Sequence, residues 1–151
     1  MFGLTYFPSI LVTMPYPRRT PIKRLLLMLP LVLMSIGPAN AEWRPVYEIN
    51  QLSTTVSVDP DTIHSKGNLV ELWVLYDSKM TQAGRGGPLR STKAQGEFNC
   101  EAGLSRILAV TDFSGNEGSG KVVYSNLDEQ KWEPVVPGSV SQTLWNVACN
   151  K

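Results

Sequence analysis

Residues 69–76 read Leu-Val-Glu-Leu-Trp-Val-Leu-Tyr and form the strongest strand pattern in the chain. β-Branched and aromatic residues dominate the run, and the turn-forming sequence Lys66-Gly67-Asn68 precedes it, a combination that is typical of a β-strand. A strand with one solvated face alternates apolar and polar residues. The nearly continuous apolar run therefore predicts a central strand that is covered on both faces.

Weaker strand patterns lie on either side of this run, at Trp43–Ile49, Thr54–Asp59, Ser91–Cys100, Leu104–Phe113 and Lys121–Ser125. The sequence Asp59-Pro60-Asp61 is predicted to end the second of these strands, because the residue before proline is held extended and aspartate favours turns. Gly96 is predicted to mark a bulge. Short turns join successive strands, which favours one antiparallel sheet of about six strands.

Two glycine-rich segments, residues 80–90 and 114–120, are predicted to be loops, the second of them flexible. Backbone N–H groups in residues 84–87 would suit an anion, but the Lys-Ser/Thr pair that completes a phosphate loop is missing, which favours a mobile hairpin loop. Trp132 lies in a polar run and is expected to be the most exposed tryptophan. The candidate binding residues are Gly84, Arg85, Gly86, Asn116, Glu117 and Trp132.

A helical pattern follows near the C-terminal end of the sequence. Ser139 and Gln142 have the spacing of a capping box, in which two side chains satisfy free N–H groups of the first helical turn. Small and apolar residues then recur on one helical face, at Ser141, Leu144, Trp145, Ala148 and Cys149. We expect this helix to pack on one face of the sheet, which gives an α+β fold.

The two cysteines of the chain are Cys100 and Cys149. An even number in an exported protein predicts a disulfide, which would close a loop of about 50 residues and contribute about 4 kcal/mol in the chain-entropy model. The bond would fasten the last helical turn to a strand end. Two free buried thiols are the alternative, and the lack of a Cys-x-x-Cys sequence disfavours a redox-active pair.

Residues 1–41 have the features of a secretory signal peptide. Basic residues in 18–24 precede an apolar run over 25–36, and the sequence then reaches a small-x-small site, which predicts cleavage between Ala41 and Glu42. Met14 is a candidate for the true start, because it would give a signal of conventional order. The rest of the chain, residues 42–151, is predicted to be one domain.

The apolar run is too short for a membrane span, which needs about 20 residues, and Pro30 interrupts it. An uncleaved anchor is therefore the less favoured alternative. No cysteine at the cleavage site would carry a lipid, and no second hydrophobic segment follows, so we expect no stable membrane anchor. The protein is predicted to be exported, with periplasmic, secreted and surface-associated locations left open.

Charge disfavours a nucleic-acid partner. Four of the 14 Lys and Arg residues lie in the signal region, so 10 remain against 13 Asp and Glu and leave a net charge of −3. A nucleic-acid-binding domain would carry a clustered basic face. Nothing in the sequence indicates a cofactor.

Candidate catalytic and metal-binding residues are few. His64 is the single histidine, and it would have to act as the base of a hydrolase or as a zinc ligand; an exposed loop position is the simpler interpretation. Asp59 and Asp61 lack the oxygen-rich loop of a calcium site, so turn formation explains them. The aromatic residues Trp43, Trp73, Tyr76, Trp132 and Trp145 are expected mostly in the core, with a ligand cleft as the alternative.

An ordered set of residues resembles the surface-adhesin protein E family over essentially the whole of residues 42–151. The set comprises Trp43, Val58-Asp59-Pro60, Ile63, Gly67-Asn68, Val70, Trp73, Ser91, Lys93, Cys100, Arg106, Val122-Val123-Tyr124-Ser125, Trp132, Pro137-Gly138-Ser139 and Cys149. The resemblance implies a six-stranded antiparallel sheet with a C-terminal helix fastened by a disulfide. It also implies a bacterial protein that adheres to host extracellular-matrix and serum proteins.

Three functions stay open on the sequence. The favoured one is an exported, non-enzymatic binding module of the bacterial cell envelope, which contacts an envelope or host extracellular protein through strand edges and loops. The second is a structural periplasmic protein without adhesive activity, and the third is a small hydrolase that uses His64. A homodimer is also left open.

Overall fold

The computed structural model describes residues 42–150. The predicted signal peptide, Met14 and the Ala41 side of the predicted cleavage site lie outside the described residues. In the described range seven strands and one α-helix follow each other: β1 (Arg44–Ile49), β2 (Thr54–Lys66), β3 (Leu69–Gly84), β4 (Gly87–Asn99), β5 (Leu104–Phe113), β6 (Val122–Asn126), β7 (Glu133–Pro134) and α1 (Val140–Cys149). Over this range no helix is long and apolar enough to cross a membrane.

The strands form one antiparallel sheet in the order β1-β2-β3-β4-β5-β6, and the short β7 pairs with β5. The prediction of a single antiparallel sheet with a C-terminal helix is confirmed, and β7 is an additional two-residue strand. The central position of β3 is also confirmed, since it lies between β2 and β4.

The core lies on one face of the sheet, under α1. Alternate side chains of the central strands meet the helix there, and the buried members of this core are Val56, Val58, Val70, Leu72, Val74, Phe98, Leu144 and Ala148. The other face of β3 keeps Glu71 and Trp73 partly exposed. Within residues 42–150 the expectation that β3 is covered on both faces is therefore wrong, because this range contains one α-helix and the second face is lined by large side chains of the sheet itself.

Strand β2 does not end at Asp59 as predicted but continues to Lys66. The β2–β3 register shifts between Asp59 and His64, and within this bulge the Asp61 N–H donates to Asp59 Oδ1 at 3.1 Å. The Thr62 hydroxyl donates to the Asp59 carbonyl at 2.7 Å and accepts from Trp73 N–H at 3.0 Å. The turn-like hydrogen bonds at Asp59 thus form a bulge within β2, and pairing with β3 resumes beyond it.

The predicted loop over residues 80–90 is also wrong in extent. Strand β3 continues to Gly84 and β4 starts at Gly87, so the turn is confined to Arg85 and Gly86. Residues 82–84 pair with residues 87–89, and we call this hairpin tip, residues 82–89, the arch. The polar, glycine-rich composition of the arch is typical of a loop. A two-residue turn nevertheless allows the residues on either side of it to pair as strands.

A bulge at Gly96 is confirmed by a register shift between Gln95 and Gly96 in the β4–β5 pair. A Cβ at Gly96 would lie 3.0 Å from the Phe98 ring, so glycine leaves the space that this buried ring occupies.

The helix begins and ends as the sequence predicts. Ser139 Oγ accepts from Gln142 N–H at 3.2 Å, and Gln142 Oε1 accepts from Gly138 N–H at 2.6 Å, one residue before the position of a standard capping box. A disulfide joins Cys100 and Cys149, whose Cα atoms lie 5.6 Å apart. The predicted pairing is confirmed, and it holds the last turn of α1 against the end of β4.

Candidate binding surface

The sheet has two chemically different ends, which lie at opposite ends of β4. The disulfide end carries Cys100 and the last turn of α1. The arch end carries the arch and the loop of residues 114–120, which connects β5 to β6. Both predicted contact segments therefore share one end of the sheet, although about 30 residues separate them in sequence.

The loop of residues 114–120 is fastened to β3 by one carboxylate. Asp77 accepts from the Asn116 amide at 3.2 Å on each of its oxygens, and its Oδ1 also accepts from Glu117 N–H at 2.7 Å. Glu117 has a left-handed backbone, with φ of 56°, and this conformation turns its N–H toward Asp77. The segment is a loop, as predicted, and these long-range bonds tie the candidate residues Asn116 and Glu117 to β3.

A buried hydroxyl on β4 fixes the same loop from beneath. Ser91 is fully buried; its Oγ donates to the Gly115 carbonyl at 2.6 Å and accepts from Gly118 N–H at 2.9 Å. Gly118 passes so close to Lys93 that a Cβ would overlap the lysine side chain. The loop backbone therefore packs directly on the sheet.

The arch leans across the sheet onto β6. A Cβ at Gly86 would overlap the Val123 carbonyl, so only glycine allows this approach. The Arg85 guanidinium donates to the Tyr124 hydroxyl at 3.1 Å and lies 5.5 Å from the centre of its ring. These contacts place the candidate residues Gly84, Arg85 and Gly86 above the face of the sheet that also carries the helix.

A pocket of about 470 Å³ lies beneath the arch. Leu89, Ile107 and Val110 supply half-exposed apolar walls, and Asp112 supplies a carboxylate that is 8% exposed. The hydroxyl of Thr92 donates to Asp112 Oδ1 at 2.6 Å. This pocket gives the arch end a concave surface as well as a convex one.

A second, smaller groove of about 190 Å³ lies between α1 and β5. Tyr76, Ala94 and Gly96 form part of its floor, and Leu144 of the helix forms part of its wall. Burial raises the pKa of Tyr76. The groove lies beside the core, and residues of the core line part of it.

Trp132 does not join the other candidate residues. It lies under the Arg106 guanidinium, 4.6 Å from the ring centre, and is half-buried, as are Trp43, Trp73 and Trp145. Arg106 forms ion pairs with Glu97 at 2.5 Å and with Glu129 at 2.7 Å, and the hydrogen bond with Glu97 raises the pKa of Arg106. This cluster fastens the segment before β7 to the edge of β5.

His64 is exposed on β2 and pairs with Glu71 across the β2–β3 ladder. Within residues 42–150 its side chain makes no hydrogen bond, so no neighbouring group orients it as a base. In the same range no cluster of three or more His, Cys, Asp or Glu residues has the geometry to hold a metal ion.

Sequence reasoning missed four residues that organise the arch end: Asp77, Ser91, Asp112 and Tyr124. Each acts across strands, and the contacts of Asp77 and Tyr124 with their partners span 39 or 40 residues. No local pattern encodes such contacts. Asp112 alone left a signal, because it is the single acid of β5 and follows the apolar residues 107–110.

Comparisons with known proteins agree with this architecture. The family model of the surface-adhesin protein E matches residues 43–150. None of the curated proteins resembles the chain in sequence at a significant level.

Solved structures of Haemophilus influenzae protein E share the fold. The selenomethionine form has 9% identity and a TM-score of 0.56, with 74% of this chain and 88% of that chain covered. Another structure of the protein has 12% identity and a TM-score of 0.55, with 74% and 86% covered. Crystal form II has 11% identity and a TM-score of 0.54, with 76% and 94% covered.

At these identities the structures establish a shared fold, and the family match over nearly all described residues establishes descent. Cys100, Cys149 and the helix capped by Ser139 fall within the matched range. The chain belongs to the surface-adhesin protein E family.

Proposed function

We propose that this adhesin-like protein is an exported, non-enzymatic module that contacts an envelope or host extracellular protein through its arch end. The observation that carries the proposal is that the arch and the 114–120 loop lie at the same end of the sheet and that hydrogen bonds fix each of them to the strands. A surface that is already ordered loses little conformational entropy when it binds. Membership of a surface-adhesin family supports the same conclusion.

The composition of the arch end suits protein contact. Arg85 is exposed, and two exposed apolar side chains flank the arch and the loop, Met80 at 64% and Val122 at 58%. Protein interfaces combine apolar contact area with arginine in this way. The arch end of the sheet therefore offers an anchor of each kind.

Export is supported by the disulfide in addition to the predicted signal peptide. Disulfides persist in oxidising compartments and are rare in the cytosol of most bacteria. The disulfide closes a loop of about 50 residues, and it stabilises the fold only where the two cysteines stay oxidised. The module is therefore suited to the periplasm or the cell exterior.

A pair of arginine variants tests the binding surface. Arg85→Ala removes the cation of the arch, and Arg44→Ala removes an exposed cation from β1 as a matched control. Binding to a panel of immobilised extracellular-matrix, serum and envelope proteins is measured by surface plasmon resonance. We expect Arg85→Ala to weaken binding about tenfold and Arg44→Ala to leave it unchanged.

Two outcomes contradict the proposal. Equal loss in the two variants would move the contact away from the arch end. No binding to any protein of the panel by the oxidised domain would favour the second hypothesis, a structural envelope protein without adhesive activity.

A further inference from the structure

The carboxylate of Asp112 is buried without a cationic partner. Three acids are buried in the described range, namely Asp59, Glu97 and Asp112. Glu97 is paired with Arg106, and Asp59 accepts a backbone N–H inside the β2 bulge. Asp112 receives the Thr92 hydroxyl on Oδ1, and among residues 42–150 no hydrogen bond or ion pair reaches Oδ2.

Buried acids normally have a cation or several donors. Asp112 has one donor, and its Oδ2 is not among the buried polar atoms without a partner in the described range, so this oxygen is open to the pocket under the arch that Asp112 lines. The cation among the lining residues is Arg85, whose guanidinium is engaged with Tyr124. The pocket therefore has an anionic floor that lacks a partner.

Part of the pocket wall is aliphatic, and polar groups elsewhere in the lining come from Arg85, Thr92, Tyr124 and Gln130. Leu89 comes from the arch, and Ile107 and Val110 come from β5; all three are half-exposed. Apolar walls leading to a carboxylate match a side chain with an aliphatic stem and a positive head, since such side chains bury the stem and keep the charge on a polar group. The volume of about 470 Å³ admits one such side chain.

We infer that the pocket under the arch binds a lysine side chain of the partner protein, with its ammonium group on Asp112. Arginine would bind a carboxylate best through two parallel hydrogen bonds, but Thr92 already occupies one oxygen of Asp112. Lysine acts as a point charge and needs one oxygen. The negative charge of residues 42–151, −3, favours approach of a basic surface.

This inference rests on the proposed function and names the chemistry of its partner. The probe is a short acetylated and amidated peptide with one central lysine, and its matched control replaces that lysine with norleucine, which keeps the stem and lacks the charge. Binding of both peptides to the oxidised domain is followed by NMR chemical shifts of backbone amides. The same titrations are run on Asp112→Asn and on Asp61→Asn, an exposed acid on β2 with the same change of charge.

We expect shifts at residues 83–92 and 107–112 with the lysine peptide, and at least tenfold weaker binding of the norleucine peptide. Asp112→Asn should weaken lysine binding by a similar factor, whereas Asp61→Asn should not. Asparagine still accepts from Thr92, so an unchanged thermal midpoint confirms that the variant is folded.

Equal binding of the two peptides, or full lysine binding by Asp112→Asn, would overturn the inference. So would shifts at these residues produced by calcium chloride alone and not by the lysine peptide, which would make the pocket a cation site. If Asp112→Asn retains full adhesion to a protein partner that Arg85→Ala fails to bind, the lysine pocket is wrong and the proposed function stands. If no protein partner binds but the lysine peptide does, the proposed function is wrong and the lysine affinity of the pocket stands.

Discussion

The disulfide end and the arch end of the sheet are stabilised by different kinds of interaction. At the disulfide end, α1 covers Leu72 and Phe98, and the Cys100–Cys149 bond fixes the cover. At the arch end no helix of the described residues covers the sheet; Asp77 and Ser91 hold the 114–120 loop, and Arg85 rests on Tyr124. One end is held by apolar burial and a covalent bond, and the other by hydrogen bonds to polar groups.

The difference separates stability from recognition. Apolar burial and loop closure contribute several kcal/mol each, whereas single hydrogen bonds contribute about 1 kcal/mol net. The arch end can therefore change its exposed residues at small cost, while the disulfide end keeps the fold. Binding surfaces are often loops placed on such a scaffold.

Removing the disulfide should produce the largest loss of stability. In Cys100→Ser/Cys149→Ser the unfolded chain regains the entropy of a loop of about 50 residues, and the free energy of unfolding should fall by about 4 kcal/mol. Urea denaturation followed by circular dichroism measures the change. A loss below about 1 kcal/mol would mean that packing alone holds α1, and the contrast between the two ends would disappear.

Shortening the main apolar side chain of the helix should have the next largest effect on stability. Leu144 is 5% exposed and packs in the core, so Leu144→Ala should cost about 3 kcal/mol through lost burial and a cavity. Val136→Ala, at a position 59% exposed, is the control and should change stability by less than about 0.5 kcal/mol. Similar values for the two variants, in urea denaturation, would place the core elsewhere.

Removing the Asp77 carboxylate at the arch end should lower the free energy of unfolding less. Asp77→Ala deprives Asn116 and Glu117 of their shared acceptor, and we expect a loss of about 1–2 kcal/mol. Faster hydrogen exchange should be confined to residues 114–120. Asp61→Ala, an exposed acid on β2, is the control. Loss of protection in α1 on Asp77→Ala would show that the two ends are not independent.

The smallest effect concerns Tyr76, which lies on the helix-covered face between the ends. Burial raises its pKa above the ordinary value of 10.0, so the folded protein holds this proton more tightly than the unfolded chain. The stability that this difference contributes is complete below pH 10 and is lost as the pH rises through the folded pKa. Tyr76→Phe should remove that part of the alkaline destabilisation.

Absorbance titration at 295 nm checks the same point. Tyr76 should ionise above the ordinary tyrosine pKa of 10.0, and this late step should be missing in Tyr76→Phe. Ionisation of Tyr76 at the ordinary tyrosine pKa would show that the groove beside α1 is open to water.

The sequence predicts the parts of the fold that depend on local patterns. The apolar run over 69–76, the capping residues of α1 and the cysteine pair each give a strong local or compositional signal, and the central strand, the capped helix and the disulfide that they predict are confirmed. The further prediction that β3 is covered on both faces is not. Asp59-Pro60-Asp61 shows the limit of this reasoning, because its turn chemistry is real but β2 resumes pairing beyond it. Whether a turn ends a strand depends on the neighbouring strand.

The arch end was less accessible to prediction. Gly84, Arg85, Gly86, Asn116 and Glu117 were identified as candidates from composition, but their fixed positions depend on partners about 40 residues away. Trp132 was expected to be the most exposed tryptophan because of its polar neighbours, and Arg106 lies over its ring from another strand. Such cross-strand contacts follow from register, which short sequence patterns do not specify.

Hydrogen exchange of the oxidised and reduced domain, resolved along the chain by mass spectrometry, tests the separation of the two ends most directly. On reduction, exchange should accelerate over residues 140–149 and around Asn68 and Cys100, whose backbones are joined by a 2.9 Å hydrogen bond. Protection of residues 82–89 and 114–120 should stay unchanged. Equal loss of protection at the arch would contradict the account, because the binding surface would then depend on the disulfide.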